Sequence, residues 1–351
     1  MEPKQAAPRA PEREAGDTHV VLAHGGGGEL TKRLIETRIL PRFSNPMLNP
    51  LTDGAVFPAF SGNVCFSTDS FVVQPLEFPG ADIGRLAVCG TVNDVAVMGA
   101  EVLGLSLALV MEEGLELAQL DRILDSVAAA AREAGVPVVT GDTKVIERRR
   151  GDGLILTTAG VGRRFDGVEW GPWRIQAGDR IIVSGGLAEH GLAVMSAREG
   201  LGFETSIRSD AAPLNGLVKA AAEAGGAGVR FVRDPTRGGL AGLLADLCED
   251  TKLGVEVEEE ALPLSPAVRA ASEMLGLDPL SIANEGKIVL VVSPEAAPKV
   301  LEACRRHPLG RRAAEVGAFL AAETPLVELV TRAGGRRIVL RPYGEELPRI
   351  C

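Results

Sequence analysis

The sequence predicts a two-domain α/β protein, shading into α+β, that ends in an extended tail. Three observations predict it. The chain has 351 residues, more than one domain usually holds. Hydrophobic residues make up 46% but aromatics only 4%, and there are 42 glycines. That profile suits sheets covered by helices rich in Ala, Val, Leu and Gly, and fits a β-sandwich poorly. Finally, a strand-and-helix vocabulary runs twice, interrupted at Trp170-Gly171-Pro172-Trp173. The boundary is placed there, giving an N-terminal domain at 19–170 and a C-terminal domain at 171–341. An arm (1–18) rich in Pro, Ala, Glu and Arg precedes them and reads as disordered. A tail (342–351) follows.

The elements read in order as follows. His24-Gly-Gly-Gly-Gly-Glu29 opens a helical pattern that runs through Leu40, and prolines 41, 46, 50 and 58 then punctuate a loop-rich stretch. Residues 64–73 are a strand candidate, 81–98 a helix of small residues, and 101–111 an apolar strand. Leu117, Leu120, Leu124, Val127 and Ala131 mark one helix face, with Gly135 as its stop. Short buried strands are expected at 136–140 and 153–162. In the second half, 180–184 and 287–292 read as strands, and 213–225, 238–249, 266–275 and 295–306 as helices. The tail, PYGEELPRIC, carries two prolines and no hydrophobic period, so it joins neither a helix nor a central strand.

Composition narrows the function. The net charge is −10 and no basic run exceeds Arg148-Arg149-Arg150, which argues against a nucleic-acid partner. No apolar stretch is long enough to span a bilayer, and residues 1–18 do not resemble a signal peptide. The five cysteines (65, 89, 248, 304 and 351) form no CxxC pair, so a reducing cytoplasm is expected. The first four sit in apolar surroundings and read as small core residues. Cys351, the last residue, is an exposed thiol on a tail that spans roughly 30 Å when extended, which is enough to visit another site and return.

The chemistry-bearing pattern is a set of aspartates in Gly/Thr/Ser-rich segments: Asp53 (LTDGAV), Asp69 (FSTDSF), Asp94 (TVNDVAVMG), Asp142 (TGDTK) and Asp234 (RDPTRGG). Asp69, Asp142 and Asp234 are expected where a strand gives way to a loop, the usual place for α/β ligand sites. Gathered carboxylates repel unless a cation neutralises them, and Mg²⁺ is held by a few carboxylates together with phosphate oxygens. Taken singly, each Asp also reads as a cap or turn residue. Gly25, Gly26, Gly27 and Gly28 can cradle an anion on their backbone N–H groups, or form a flexible linker; they match neither Walker A nor GxGxxG. Lys144 follows Asp142 and Thr143 directly and can stabilise a transferring phosphoryl group, or stand as an ordinary surface lysine. Glu285, after Asn284, can act as a general base, or as a turn residue paired with Lys287.

Together, HGGGG, FSTDSFVVQPLEFPG, CGTVNDVAVMGA, TGDTKV, RDPTRGG, NEGK, HPLG and the terminal LPRIC resemble the HypE family of hydrogenase maturation factors. That family belongs to the ATP-using superfamily of aminoimidazole ribonucleotide synthetase, selenophosphate synthetase and thiamine-monophosphate kinase. The resemblance runs from about His24 to Cys351. It implies an aminoimidazole ribonucleotide synthetase-like fold whose N-terminal, ATP-binding domains pair through a β-barrel-like interface as a homodimer. It implies a C-terminal Cys carbamoylated by the HypF carbamoyltransferase, ATP-dependent dehydration of the S-carbamoyl group to S-cyano, and delivery of cyanide to iron on a HypC–HypD complex for [NiFe]-hydrogenase. Carried over by position, Asp53, Asp69, Asp94 and Asp234 are expected to hold Mg²⁺. Gly25–Gly28, Asp69, Asp94, Asp142, Thr143 and Asn284 are expected to hold ATP, and Cys351, Lys144 and Glu285 to carry the chemistry. Without a Cys in the glycine-rich segment, selenophosphate synthetase is disfavoured. A superfamily kinase with a diffusible substrate would not need Cys351, and a nucleotide-binding scaffold would not turn ATP over.

Overall fold

The structure, a computed structural model, describes residues 18–198 and 206–342; the tail from residue 343 to Cys351 and the arm up to residue 17 lie outside the described residues. The glycine-rich segment leads into one continuous helical stretch, α1 (Glu29–Leu34), a π turn (Ile35–Ile39) and α2 (Leu40–Phe43). The helix therefore passes Pro41, which stands in the first turn of α2, where its missing N–H costs little.

Four strands form the N-terminal sheet, in the order β1-β6-β4-β5. They are β1 (Val64–Phe71), β4 (Ala100–Glu112), β5 (Val138–Ile146) and β6 (Leu154–Arg164); the short pair β2 (Glu77–Phe78) and β3 (Ala81–Asp82) stands apart. One face carries Phe71, Leu105, Leu107, Leu109, Leu154 and Leu156 into the core, covered by α3 (Ile83–Val97) with α4 (Leu117–Ala134) packed against α3. Asp82 caps α3 by accepting from Arg85 N–H, and Gly135, at φ +69°, ends α4 in the left-handed conformation that a helix stop favours. Helix α3 is buried almost all round. Glycines on β6 let it sit close: a Cβ at Gly162 would stand 2.4 Å from Val95. The other sheet face is different. Val64 and Phe66 on β1 are 61% and 68% exposed, and no helix lies over them among the described residues.

The C-terminal half is a seven-stranded mixed sheet with helices on both faces, in the order β13-β12-β9-β11-β7-β10-β8. Its strands are β7 (Arg180–Val183), β8 (Val229–Arg233), β9 (Gly254–Glu258), β10 (Val289–Val292), β11 (Ala314–Leu320), β12 (Val327–Val330) and β13 (Arg336–Val339). The helices are α5 (Glu189–Arg198), α6 (Asn215–Gly225), α7 (Gly239–Thr251), α8 (Pro266–Leu275) and α9 (Ala297–Arg306). Alternation divides the strands between two cores: Ile181, Val183, Val289 and Val291 meet α7, while Ile182, Leu290 and Val292 meet α6 and α9. The second core also takes in Ala96 and Val97 of α3 together with Trp170, so the two halves share buried surface. Cys89, Cys248 and Cys304 are buried as expected, whereas Cys65 on β1 is only half-buried.

Leu124 has no exposed surface. Leu124→Ala should cost about 2–5 kcal/mol, read as a lower urea midpoint by circular dichroism; an unchanged midpoint would remove this helix face from the core.

Candidate active site

The carboxylates meet at the seam between the halves. Asp69 lies inside β1, paired with Thr158, and alternation turns it toward α3 alongside Ser67 and Phe71. Ser67 Oγ donates to Asp94 Oδ2 at 2.9 Å, joining β1 to α3. Asp234 follows the last residue of β8, and Arg237, three residues on, approaches Asp69 Oδ1 at 3.8 Å. Glu285 sits in the loop before β10 and is 3% exposed.

Electrostatics binds these groups into one cluster. Burial pushes Asp94 up, only partly offset by the Ser67 hydrogen bond, and Asp69 adds to the rise. Asp234 is pushed up to about 7, first by burial and then by Asp94, with Asp69 adding to it. Glu285 is raised well above the ordinary carboxylate range, by burial and then by Asp234, Asp210, Asp69 and Asp94. All three shifts run upward for the same two reasons: burial first, then the negative charge of neighbouring carboxylates. At Asp210 burial also pushes upward, but Lys287 and His190 outweigh it and hold that carboxyl below its ordinary value.

Neighbouring residues hold the seam in register. Asn93 on α3 donates to the carbonyls of Ala212 and Glu285 at 3.1 and 3.2 Å and accepts from Leu214 N–H at 2.7 Å. Asn284 is fully buried; its Oδ1 accepts from Ala188 N–H at 2.7 Å, and its Nδ2 donates to the carbonyls of Pro235 and Ile282. It thereby ties the Glu285 loop to the Asp234 loop. The alternative that pairs Glu285 with Lys287 is overturned, because Lys287 pairs with Asp210 at 2.9 Å.

The remaining predicted residues lie elsewhere. Asp142, Thr143 and Lys144 belong to β5. They line a cavity of about 220 Å³ together with Gly25, Gly27 and Thr31. Gly25 packs on β5, where a Cβ would stand 2.5 Å from Val145 N. Lys144 Nζ pairs with Asp142 Oδ2 at 2.8 Å, both side chains exposed, and this hydrogen bond holds Asp142 below its ordinary value. Two expectations are corrected here. Asp69 and Asp142 are inside strands and not at their ends, because ladder pairing to β6 and β4 continues past them; only Asp234 stands where a strand stops. The two groups also occupy opposite sheet edges. The row Asp69–Thr158–Leu107–Gly141 crosses three strand spacings, roughly 14 Å, so one chain does not set Lys144 beside Glu285. Asp53 is exposed in the stretch before β1, and no contact joins it to the cluster among the described residues. No three metal-ligating side chains converge among the described residues.

Sequence reasoning missed Asn93 and Ser67, although both lie in segments it singled out, and it missed Asp210, which carries no motif signal. Because Asp234 is raised in the folded chain, the folded state holds its proton more tightly than the unfolded one, and stability falls as pH rises from about 4 toward 7. The difference in unfolding free energy between wild type and Asp234→Asn, measured with urea, should therefore fall between pH 5 and pH 7.5. A constant difference would remove the assignment.

The segments that carry this cluster are also those that match known proteins. The family model described as AIR synthase related protein, N-terminal domain, matches residues 52–164, and its C-terminal counterpart matches residues 176–327. A carbamoyl dehydratase HypE from Rhizobium leguminosarum bv. viciae is 48% identical over 338 residues, covering 96% of this chain and 97% of that protein. The crystal structure of hydrogenase maturation protein HypE in complex with ATP aligns with a TM-score of 0.90 at 40% identity, over 94% of this chain and 99% of that one. A chain of a HypE–HypF complex aligns with a TM-score of 0.77 at 43% identity, over 88% and 99%. Matched along almost its whole length at close to half identity, with the carboxylate seam inside the matched segments, the chain belongs to the HypE family of carbamoyl dehydratases, built on the two-domain fold of the AIR synthase related proteins.

Proposed function

We propose that this protein is an ATP-dependent carbamoyl dehydratase that converts an S-carbamoyl group on its own Cys351 to S-cyano, supplying cyanide for the iron of [NiFe]-hydrogenase. The observation that carries this reading, beside the match to carbamoyl dehydratases, is a buried carboxyl, Glu285, set without a cationic partner of its own among three aspartates in a fold whose relative binds ATP.

In the reaction, the carbamoyl oxygen takes the γ-phosphoryl group and ADP departs. The C–O bond then breaks, and phosphate leaves with that oxygen. The nitrogen gives up its two protons and the nitrile forms, so the equivalent of one water is lost. The Cys351 thioester-like linkage keeps the substrate tethered throughout. Glu285 takes a proton from the carbamoyl nitrogen. Burial and then the neighbouring carboxylates favour its protonated form, so positive charge brought into the seam releases it to act as the base. Lys144, with Asp142 and Thr143, is assigned to the phosphates, beneath the lid formed by Gly25–Gly28. Asp69, Asp94 and Asp234 carry the hard oxygen donors that Mg²⁺ takes, and they and Asp53 are assigned to it together with phosphate oxygens of the nucleotide, since the side chains alone do not form a closed ligand set among the described residues. Bound there, Mg²⁺ supplies charge neutralisation for the transferring phosphoryl group. Asn284 contributes by holding the Asp234 and Glu285 loops together.

The carbamoyl donor is assigned to a HypF-like carbamoyltransferase, supported by the relative solved with HypF, and the cyanide acceptor to a HypC–HypD complex. The protein is assigned to the cytoplasm; no helix is long and apolar enough to cross a membrane among the described residues. The uncovered face of the N-terminal sheet, with Val64 and Phe66 exposed, supports a homodimer in which two such faces pack as a barrel. In a barrel closed about its own axis, β5 of one protomer meets β1 of the other, which supports sites that combine Lys144 from one chain with Glu285 from its partner.

With a carbamoyl donor system, mass spectrometry of the C-terminal peptide should show a carbamoyl adduct on Cys351 that loses one water only when ATP is present. Lys144→Ala and Glu285→Gln should each bind ATP yet retain the adduct, with dehydration slowed by roughly 10²–10⁴-fold for the missing base. Full cyanation by either variant removes its role. Phe66→Glu should give a monomer by light scattering; a dimer of unchanged mass would place the interface elsewhere.

A further inference from the structure

Lys287 stands two residues after Glu285 in the sequence, and its ammonium is engaged elsewhere. Its ammonium donates instead to Asp210 Oδ2 at 2.9 Å and to the Gly286 carbonyl at 3.0 Å. Asp210 Oδ1 accepts the backbone N–H of Glu285 at 3.1 Å. The Asp210 and Lys287 side chains are only 3% and 10% exposed. Gly286, between them, has no room for a side chain, since a Cβ would stand 1.7 Å from the Asp210 carbonyl oxygen. From α3, Asn93 Nδ2 holds the Glu285 carbonyl. Glu285 is thus tied down through both of its main-chain polar groups, while its carboxyl takes no hydrogen bond among the described residues.

We propose that Asp210 is a positioning residue for the dehydration: it draws the Lys287 ammonium away from Glu285 and pins the Glu285 main chain, leaving that carboxyl as an unpaired proton acceptor. This rests on the role proposed above for Glu285. The physical reason is a competition for one buried cation. An ammonium stripped of its partner inside a protein is strongly unfavourable, and Glu285 is the acidic side chain next to it in the same loop. If Lys287 turned to Glu285, the ammonium would hold the carboxylate in a buried ion pair, and that carboxylate would no longer be free to meet the carbamoyl nitrogen. Asp210 prevents that exchange by offering the better-placed partner.

The test is a pair of substitutions read on the full-length protein carrying S-carbamoyl-Cys351. Asp210→Asn keeps the side-chain shape and an acceptor for Glu285 N–H while removing the charge. It should slow dehydration at saturating ATP by roughly 10²-fold, the scale of a general base's contribution, with ATP affinity unchanged. Adding Lys287→Met removes the misdirected ammonium and should restore most of the rate. A purely structural role predicts no such rescue. Asp210→Asn at the wild-type rate, or a double variant as slow as Asp210→Asn alone, overturns the proposal. If Asp210→Asn does not fold, the double variant carries the test, because replacing both members of a buried pair is often tolerated. Turnover by the double variant then supports the proposal. Lost turnover with ATP binding intact overturns it, as does a double variant that fails to fold. Glu285→Gln, run in parallel, separates the two claims. Wild-type turnover by Glu285→Gln removes the role of Glu285 itself, whereas an inactive Glu285→Gln beside a fully active Asp210→Asn removes only the positioning role.

Discussion

Like charges held together at a buried seam are the constraint around which this molecule is organised. Asp69, Asp94, Asp234 and Glu285 come from four different segments, and burial together with the neighbouring carboxylates raises the proton affinity of Asp94, Asp234 and Glu285. Such a cluster persists only if the backbone around it is held by other bonds. Asn93 on α3 supplies three of them across the seam, and Asn284 two more between loops. The buried amides therefore do the holding, and the carboxyls are left out of the structural bonding between the loops.

Helix α3 makes this possible because it has almost no outside. One side lies on the N-terminal sheet, aided by close approach at the β6 glycines, and the other meets the core of the C-terminal half. A helix buried all round must be small and apolar, and its polar residues must then have partners. Asp94 has Ser67, and Asn93 has the three backbone groups already named. A tethered substrate suits this geometry.

Legibility in the sequence followed the kind of signal each element gives. Helix α4 was readable because its apolar residues recur at helical spacing and Gly135 ends it; α8 was matched at both ends, with Ser265 capping it and Gly276 closing it. Strand β5 was read as too short. Gly141 and Asp142 punctuate the local sequence like a loop, but pairing with Leu107 and Ala108 of β4 carries the strand through them. The helix from Glu29 was stopped early at Pro41 for a similar reason, since a proline reads as a breaker but is tolerated at the start of a turn. Asp210 carried no signal at all, because its importance lies in two contacts about 75 residues away in sequence.

By itself the sequence determined the two-part α/β architecture, the kinship, and the residue types the chemistry calls for, including a terminal thiol. These are local properties: periodicity, punctuation and short segments whose residues act through their own side chains. Only the tertiary structure decided which of those side chains meet. It set Lys144 on β5, at the sheet edge opposite the β1 strand whose Asp69 gathers with Glu285, and it gave Lys287 to Asp210 in place of Glu285. Burial and through-space charge depend on distances that no stretch of sequence encodes, so Glu285 could be singled out from its motif, but the pairing of Lys287 with Asp210 beside it could not.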